Sequence, residues 1–333
     1  MSKFLSFIVL ASVVAGSLGS ALADVRSRID GSAFSNQRYV DLSGVSKPGV
    51  NFRGSYLFGA NLSWSVFKGG NFQAANLSHA RMEWADFDEV DLSQASLQDA
   101  AMYRSTFRKA NLRMANLTRS NLTKSDLSEA DLLTATLNDA DLSEARLNDA
   151  ILRNADLTQA DLSGARLRGT DLQGAILTRA NMQGADFANA NLAGSIMRGT
   201  VFTSTYISHA NFRMTDLSGA DFRNTVIDAV TFQGANLGKA NFSGAIIRNA
   251  VFIGANLCGA TLPDGQAGKC HGDEVQPVAE KTAVPPVRRP EFTAVDFCAS
   301  SMPDGRMATC AEEVPESAGN GDGRPQRPSR LAL

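Results

Sequence analysis

A strict five-residue period runs through most of this sequence and constrains its fold more than any other feature. From Phe52 to Leu262, every residue whose number ends in 2 or 7 is apolar, which gives 43 consecutive positions without an exception. Two residues before each of these, the side chain is small or β-branched. This period fits neither the 3.6-residue repeat of an α-helix nor the two-residue repeat of a strand, so the sequence predicts a repeat architecture.

The commonest unit is Ala-(Asn/Asp)-Leu followed by two variable residues, as in Ala140-Asp141-Leu142-Ser143-Glu144. We number these unit positions 1 to 5. Positions 1 and 3 are apolar or small and predict a core, whereas the other three are mostly polar. A chain of this kind must turn at every unit, so each unit becomes one side of a coil and successive coils pair in parallel about 4.8 Å apart. Glycine at position 5, as at Gly164, suits a tight turn.

The pattern resembles the pentapeptide repeat family over about two-thirds of the chain. The resemblance implies an all-β fold, a right-handed quadrilateral parallel β-helix of four units per coil and about 10–11 coils. The charges agree with this coil length. Within residues 50–262, residues 20 apart form 10 pairs of opposite charge and 4 of like charge, whereas a spacing of 15 gives 6 and 10. A spacing of 25 gives 8 and 4, so the charges exclude three sides per coil and only mildly favour four over five.

The balance of basic and acidic residues indicates whether the chain can bind nucleic acid. The repeat holds 19 Lys or Arg and 20 Asp or Glu. A nucleic-acid-binding domain usually has a basic face, and a mimic of duplex DNA needs a strongly acidic one, so we do not expect nucleic acid as a partner. Residues 104–124 contain six basic residues and no acid, but acidic bands at 81–99 and 126–149 lie about one coil away. We interpret these bands as a solvated network of cross-coil ion pairs.

The N-terminus has the features of a secretory signal peptide. Residues 1–23 combine Lys3, an apolar run from Phe4 to Val14 and the sequence Ala21-Leu22-Ala23 before Asp24. The apolar run is shorter than the ~20 residues that a membrane span needs. We therefore expect cleavage, a periplasmic or extracellular location, and no membrane span after cleavage.

The remaining chain is organised around the repeat. Lys47 falls at a core position, and Tyr56 and Phe58 of the first coil point outward, so we expect the preceding segment to cap the open end of the coils. The predicted parts are an N-terminal cap at 24–49, the β-helix at 50–262, a Cys-PDG-Cys hairpin at 258–270, a Pro-rich linker at 271–291, a second repeat fragment with its own hairpin at 292–310, and a disordered tail at 311–333.

All four cysteines lie in the two hairpin sequences, which share the spacing Cys-x4-Pro-Asp-Gly-x4-Cys. In an exported protein, such pairs predict disulfides. We expect Cys258–Cys270 and Cys298–Cys310, with pairing between the two hairpins as the alternative. No C-x2-C spacing is present, so we expect no zinc, and the sequence predicts no metal site and no cofactor.

Two tryptophans point outward at equivalent unit positions. Trp64 and Trp84 are 20 residues apart, which predicts a stack on adjacent coils with Arg104 next to it. One interpretation is a packing ladder with a cation over its end. The other is a flat aromatic surface for a partner or a glycan.

A second outward set consists of Tyr206, Val226 and Ile246, and Ile176 and Ile196 form a shorter set on another side. These apolar residues occupy position 2, where Asn or Asp is usual. They either serve only to favour strand or form a surface for a partner or a second copy near the C-terminal end.

Catalytic residues are not predicted. The three histidines, His79, His209 and His271, are isolated in sequence. Ser65 and Lys68 match S-x-x-K, but Ser65 occupies a corner of the coil instead of a helix start. An interior filled by Leu and Phe has no cavity for a substrate, so we do not expect an enzyme.

The sequence therefore predicts a non-enzymatic, exported β-helical scaffold or protein-interaction module with a protein or cell-envelope partner, and it leaves a homodimer open. The alternative comes from the resemblance: some family members imitate DNA, bind DNA gyrase and protect it from quinolones. Those proteins are cytoplasmic and strongly acidic, and this chain departs from both properties.

Overall fold

The computed structural model describes residues 38–270, which form a right-handed quadrilateral parallel β-helix. Each parallel bridge in its coils joins a residue to the one 20 positions later, from Asp41 with Asn61 to Asn241 with Thr261. Four five-residue units therefore make one coil, as the resemblance implies and the charges mildly favour. Most units contribute a single bridge residue at position 2. Three units lengthen into strands, β1 (Tyr206–Ser208), β2 (Val226–Asp228) and β3 (Ile246–Arg248), which pair in parallel in that order.

The core is a column of position-3 side chains. Every one of these from Phe52 to Phe242 is buried, and the small side chains of position 1 close the corners around them. Aromatic rings stack along the axis: Phe222 lies parallel to Phe202 at 4.6 Å and to Phe242 at 4.8 Å between ring centroids. The predicted positions 1 and 3 are thus confirmed as the core.

Each corner is a tight turn that places position 5 in the left-handed region. The backbone φ there lies between 50° and 70° in every unit from Tyr39 to Gly259, whether or not the residue is glycine. In most units the position-1 N–H donates to the position-3 carbonyl of the preceding unit, as Ala60 does to Leu57 at 3.0 Å. A positive φ at the third residue of such a turn is the mark of type II.

Asparagine and aspartate at position 2 stabilise these turns. The Oδ1 atom of Asp141 accepts the backbone N–H of Ser143 at 2.9 Å, and the same bond recurs along the coils. Adjacent coils also join through these side chains, as where Asn61 Nδ2 donates to Asp41 Oδ1 at 3.1 Å. The sequence analysis did not predict these links between coils.

Gly54 and Ala74 test the backbone cost of the left-handed corner because they occupy the same column on adjacent coils, at φ 64° and 55°. A Cβ at Gly54 would meet no atom within 4 Å, so Gly54→Ala adds strain without a clash. We expect Gly54→Ala to lower the free energy of unfolding by about 1 kcal/mol and Ala74→Gly to raise it by a similar or smaller amount. Urea unfolding measures both. A stabilised Gly54→Ala variant would contradict this account.

The β-helix begins upstream of the boundary predicted at residue 50. Asp41 already bridges Asn61, Leu42 and Val45 are buried, and the Lys47 N–H donates to the Val66 carbonyl at 2.8 Å. A lysine at a core position does not end the ladder, because the ladder consists of backbone bonds, and the aliphatic part of a lysine can be buried while its amine stays in water.

Two residues just before the first bridge contact the outward rings of the first coil. The Tyr39 ring meets the Phe58 ring edge to face at 5.8 Å, and the Arg38 guanidinium lies 5.4 Å from the centre of the Tyr56 ring. The remainder of the predicted cap, residues 24–37, lies outside the described residues, as does the predicted signal peptide at 1–23.

At the other end the chain turns at Pro263-Asp264 and folds back on the last coil. Ala267 pairs antiparallel with Thr261, and the Gly268 N–H donates to the Ala260 carbonyl at 2.7 Å. The disulfide Cys258–Cys270 fastens this hairpin, as predicted. Residues 271–333, with the expected linker, second hairpin, Cys298–Cys310 pair and tail, lie outside the described residues.

Candidate partner-binding surfaces

The predicted tryptophan stack is present. Trp64 and Trp84 occupy position 5 on adjacent coils, with ring centroids 5.1 Å apart and planes within 4° of parallel. The Arg104 guanidinium lies 4.7 Å from the centre of the Trp84 ring, and Tyr103 meets that ring edge to face at 5.9 Å. We call Trp64, Trp84 and Arg104 the Trp stack. Both tryptophans are held in left-handed backbone, at φ 62° and 60°.

Within residues 38–270, the Trp stack is covered at one end and open at the other. Arg104 covers Trp84, whereas the residue in the same column before Trp64 is Gly44. A Cβ at Gly44 would meet no atom within 4 Å. Trp64 is 51% exposed, so one face of its indole is available to a ligand.

Polar side chains line the column beside the Trp stack. Glu83 accepts a hydrogen bond from the Ser63 hydroxyl at 2.6 Å and lies 3.6 Å from the Arg81 guanidinium. On the preceding coils, Asn61 donates to Asp41 at 3.1 Å. Asp41 and Asn61 thus lie on the coils of Gly44 and Trp64, level with the open indole face, whereas Arg81 and Glu83 lie one coil further, level with Trp84.

The second predicted set forms a continuous column on the three strands. Tyr206 pairs with Val226 and Val226 with Ile246 in the parallel register. Tyr206 is 50% exposed, and Val226 and Ile246 are partly exposed. We call these three residues the apolar column. Its position on β1–β3 fits the interpretation that such residues favour strand, and it also leaves an apolar outer surface.

The sequence analysis missed three apolar residues on the neighbouring side. Val251, Ile253 and Met214 are exposed near the end of the coils. Val251 lies at position 2 and Ile253 at position 4, where polar residues are usual. The rule that identified the apolar column, an apolar residue at a polar unit position, would have identified these two as well.

The charged bands form the predicted cross-coil network. Arg119 donates to both carboxylate oxygens of Asp99 at 2.8 and 2.9 Å, and Arg108 Nε donates to Asp88 at 2.8 Å. Lys109 and Lys124 pair with Glu129 and Glu144 at 3.5 and 3.4 Å. The basic band is therefore largely neutralised by adjacent coils, and it offers little to a polyanion.

Asp88 is the one charged residue of this network that is almost fully buried among the described residues, with 3% of its surface exposed. Burial alone would raise its pKa, but hydrogen bonds from Arg108 and the positive charge of that side chain leave the pKa below its ordinary value. A carboxyl with a lowered pKa stabilises the fold above the pKa of the unfolded chain. The contribution is lost as the pH falls through the lowered value.

The residues considered for catalysis are not assembled into a site. The Ser65 hydroxyl is buried and donates to the Leu62 carbonyl at 2.5 Å, while Lys68 pairs with Glu89 at 3.2 Å. His79 lies on the surface, 3.8 Å from Asp99. Between residues 38 and 270, no group of His, Cys, Asp and Glu could hold a metal ion. The same range contains no helix long and apolar enough to span a membrane.

Comparison with known proteins identifies the repeat. A family model for pentapeptide repeats matches the chain in 8 copies, at residues 38–73, 49–83, 75–113, 85–123, 115–154, 155–192, 185–224 and 228–262. A search of curated proteins finds no match.

Solved structures of pentapeptide repeat proteins also match the chain. HetL, a pentapeptide repeat protein involved in heterocyst differentiation regulation from Nostoc sp. strain PCC 7120, is 28% identical, and the match covers 76% of this chain and 100% of HetL with a TM-score of 0.52. Rfr23 from Cyanothece 51142 is 33% identical over 27% of this chain and 58% of its own, with a TM-score of 0.17. QnrB1, a plasmid-mediated fluoroquinolone resistance protein, is 20% identical over 64% and 92%, with a TM-score of 0.20. Of these three, HetL alone has a TM-score above 0.5.

Proposed function

This chain belongs to the pentapeptide repeat family, and we propose that it is an exported, non-enzymatic scaffold that binds a protein partner through the apolar column. Members of this family are generally structural or interaction modules. The signal-peptide features of residues 1–23 support export, and the filled interior of the coils supports a function carried by the outer surface.

The observation that carries the proposal is the exposed apolar column on a surface that is otherwise mostly polar. Position 2 holds Asn or Asp in most units, where it stabilises a turn, but it holds Tyr206, Val226 and Ile246 on three successive coils. Apolar surface of this kind, next to exposed Val251 and Ile253, is a common feature of protein-binding sites. A tyrosine that is half exposed also suits an interface, because its ring packs while its hydroxyl remains solvated.

Site-specific crosslinking tests the surface. We replace Tyr206 with a photo-crosslinking amino acid in the full-length protein, produced in its own organism, and identify the products by mass spectrometry. The expected result is a defined protein adduct that disappears when Val226→Thr and Ile246→Thr are added. Threonine preserves the β-branched shape and strand preference while making the surface polar. The same amino acid at Ile176, which is also at position 2, is the control and should give no such adduct.

The outcomes separate the alternatives. A protein adduct at Tyr206 that Ile176 does not form supports the proposal, and equal labelling at both positions contradicts it. An adduct consisting of a second copy of this chain would replace the partner with a homodimer. Fractionation tests export: a mature N-terminus at Asp24 outside the cytoplasm is expected. Intact cytoplasmic protein that inhibits DNA gyrase would instead favour the DNA-mimic alternative.

A further inference from the structure

We propose that the Trp stack is a carbohydrate-binding site in which the open face of Trp64 stacks on a pyranose ring. This proposal concerns a surface separate from the apolar column and does not depend on the proposed partner. It rests on the uncovered indole face, on the rigidity of the stack, and on the polar groups beside it.

The empty place beside Trp64 has the dimensions of one more ring. Trp64 and Trp84 are 5.1 Å apart, which is close to the spacing of about 4.8 Å between coils. On the preceding coil the column continues as Gly44, where an added Cβ would meet no atom of the described residues within 4 Å. A flat six-membered ring beside Gly44 would therefore extend the stack by one layer, on the face of Trp64 that Trp84 does not cover.

The stack is already rigid before a ligand arrives. Trp84 is fixed by Trp64 on one face, Arg104 on the other and the edge of Tyr103. A binding group that is held in place loses little conformational entropy when its ligand binds.

The polar groups on the coils of Gly44 and Trp64 match the hydroxyls of a sugar. Asn61 supplies a donor and Asp41 supplies acceptors. A sugar presents hydroxyls, which both donate and accept, and its C–H bonds carry partial positive charge toward the negative face of an indole.

Intrinsic fluorescence measures binding directly, because the chain contains 2 tryptophans and both are in the stack. We titrate the full-length protein with cellohexaose, chitohexaose and maltohexaose. A saturable change in fluorescence with at least one of them is expected. Trp64→Ala should weaken that binding by about tenfold or more, which is the effect expected from the loss of one stacking contact, and Trp84 still reports the result.

A second variant protects the test against a loss of folding. Gly44→Asn fills the empty place, and asparagine tolerates positive φ, so this variant should fold, keep both tryptophans and lose the sugar. Met114→Ala is the control, because Met114 is an exposed position-5 residue at φ 59° far along the chain from the stack. It should bind the sugar normally. The double variant Val226→Thr/Ile246→Thr, which changes the apolar column and not the Trp stack, should also bind the sugar normally.

Three results would overturn the carbohydrate site. The first is no saturable change with any of the three sugars, and the second is unaltered binding by Gly44→Asn. The third is saturation by hexa-arginine with no response to sugar, which would assign the face to a basic peptide. None of these results bears on crosslinking at Tyr206, so failure here is distinguishable from failure of the proposed scaffold function.

Discussion

Replacement of Phe222 with alanine should lower the free energy of unfolding by about 3–5 kcal/mol, the range for an aromatic side chain removed from a core. Phe222 is fully buried between the parallel rings of Phe202 and Phe242. Its loss leaves a cavity on the axis, and the backbone bonds of the coils above and below limit how far the walls can close. Urea unfolding followed by circular dichroism measures the change.

Phe252→Ala is the matched control. Phe252 occupies the same unit position on the last coil, is partly exposed, and stacks with Phe232 on one side at 5.0 Å. Its removal exposes less new apolar surface and leaves a cavity open to water, so we expect a clearly smaller loss. Equal losses at the two sites would show that the axis relaxes freely, contrary to the close packing of the column.

Replacement of both Cys258 and Cys270 with serine should destabilise the last coil by roughly 3 kcal/mol, because the disulfide closes a short loop in the unfolded chain. The hairpin would then be held by a few backbone bonds, such as Leu262 N–H to the Gln266 carbonyl at 2.8 Å. Repeat proteins lose stability locally, since each repeat contacts its neighbours alone. Hydrogen exchange should therefore rise in residues 245–270 and change little near residue 150.

Substitution of the cysteines tests the contribution of the Cys258–Cys270 disulfide better than a reducing agent, which would act on every disulfide in the chain. Cys258→Ser alone and Cys270→Ser alone should each match the double variant in exchange near the hairpin. Unchanged exchange in all three variants would mean that the backbone pairing of Ala267 with Thr261 suffices to hold the hairpin.

The sequence determines the coil because its signal is local and repeated. One apolar and one small residue in every unit identify the interior, and charges such as Asp99 and Arg119 report which residues are neighbours on adjacent coils. The disulfide Cys258–Cys270 was predictable from spacing and repetition. The stack of Trp64 on Trp84 followed from the same coil length.

Three features could not be predicted from the five-residue period: the start of the ladder, the backbone conformation at Trp64 and the open place at Gly44. The start of the ladder was placed too late because Lys47 was judged by its side chain, whereas its backbone forms the bond. The left-handed backbone at Trp64 was not predicted, since position 5 tolerates many residue types and gave no uniform signal. The open place at Gly44 was not predicted either. It results from the absence of a side chain at that position, and glycine is common at position 5, so nothing in the sequence distinguished it.

The constant separation of 20 residues between bridged positions also bears on how the molecule is made. No coil between Asp41 and Thr261 waits for a distant part of the chain, so contact order remains low however many coils are added. Each new turn can settle on the finished one before it as synthesis delivers another 20 residues. Assembly of the coils can thus follow the order of the chain, and the hairpin closes after the last coil.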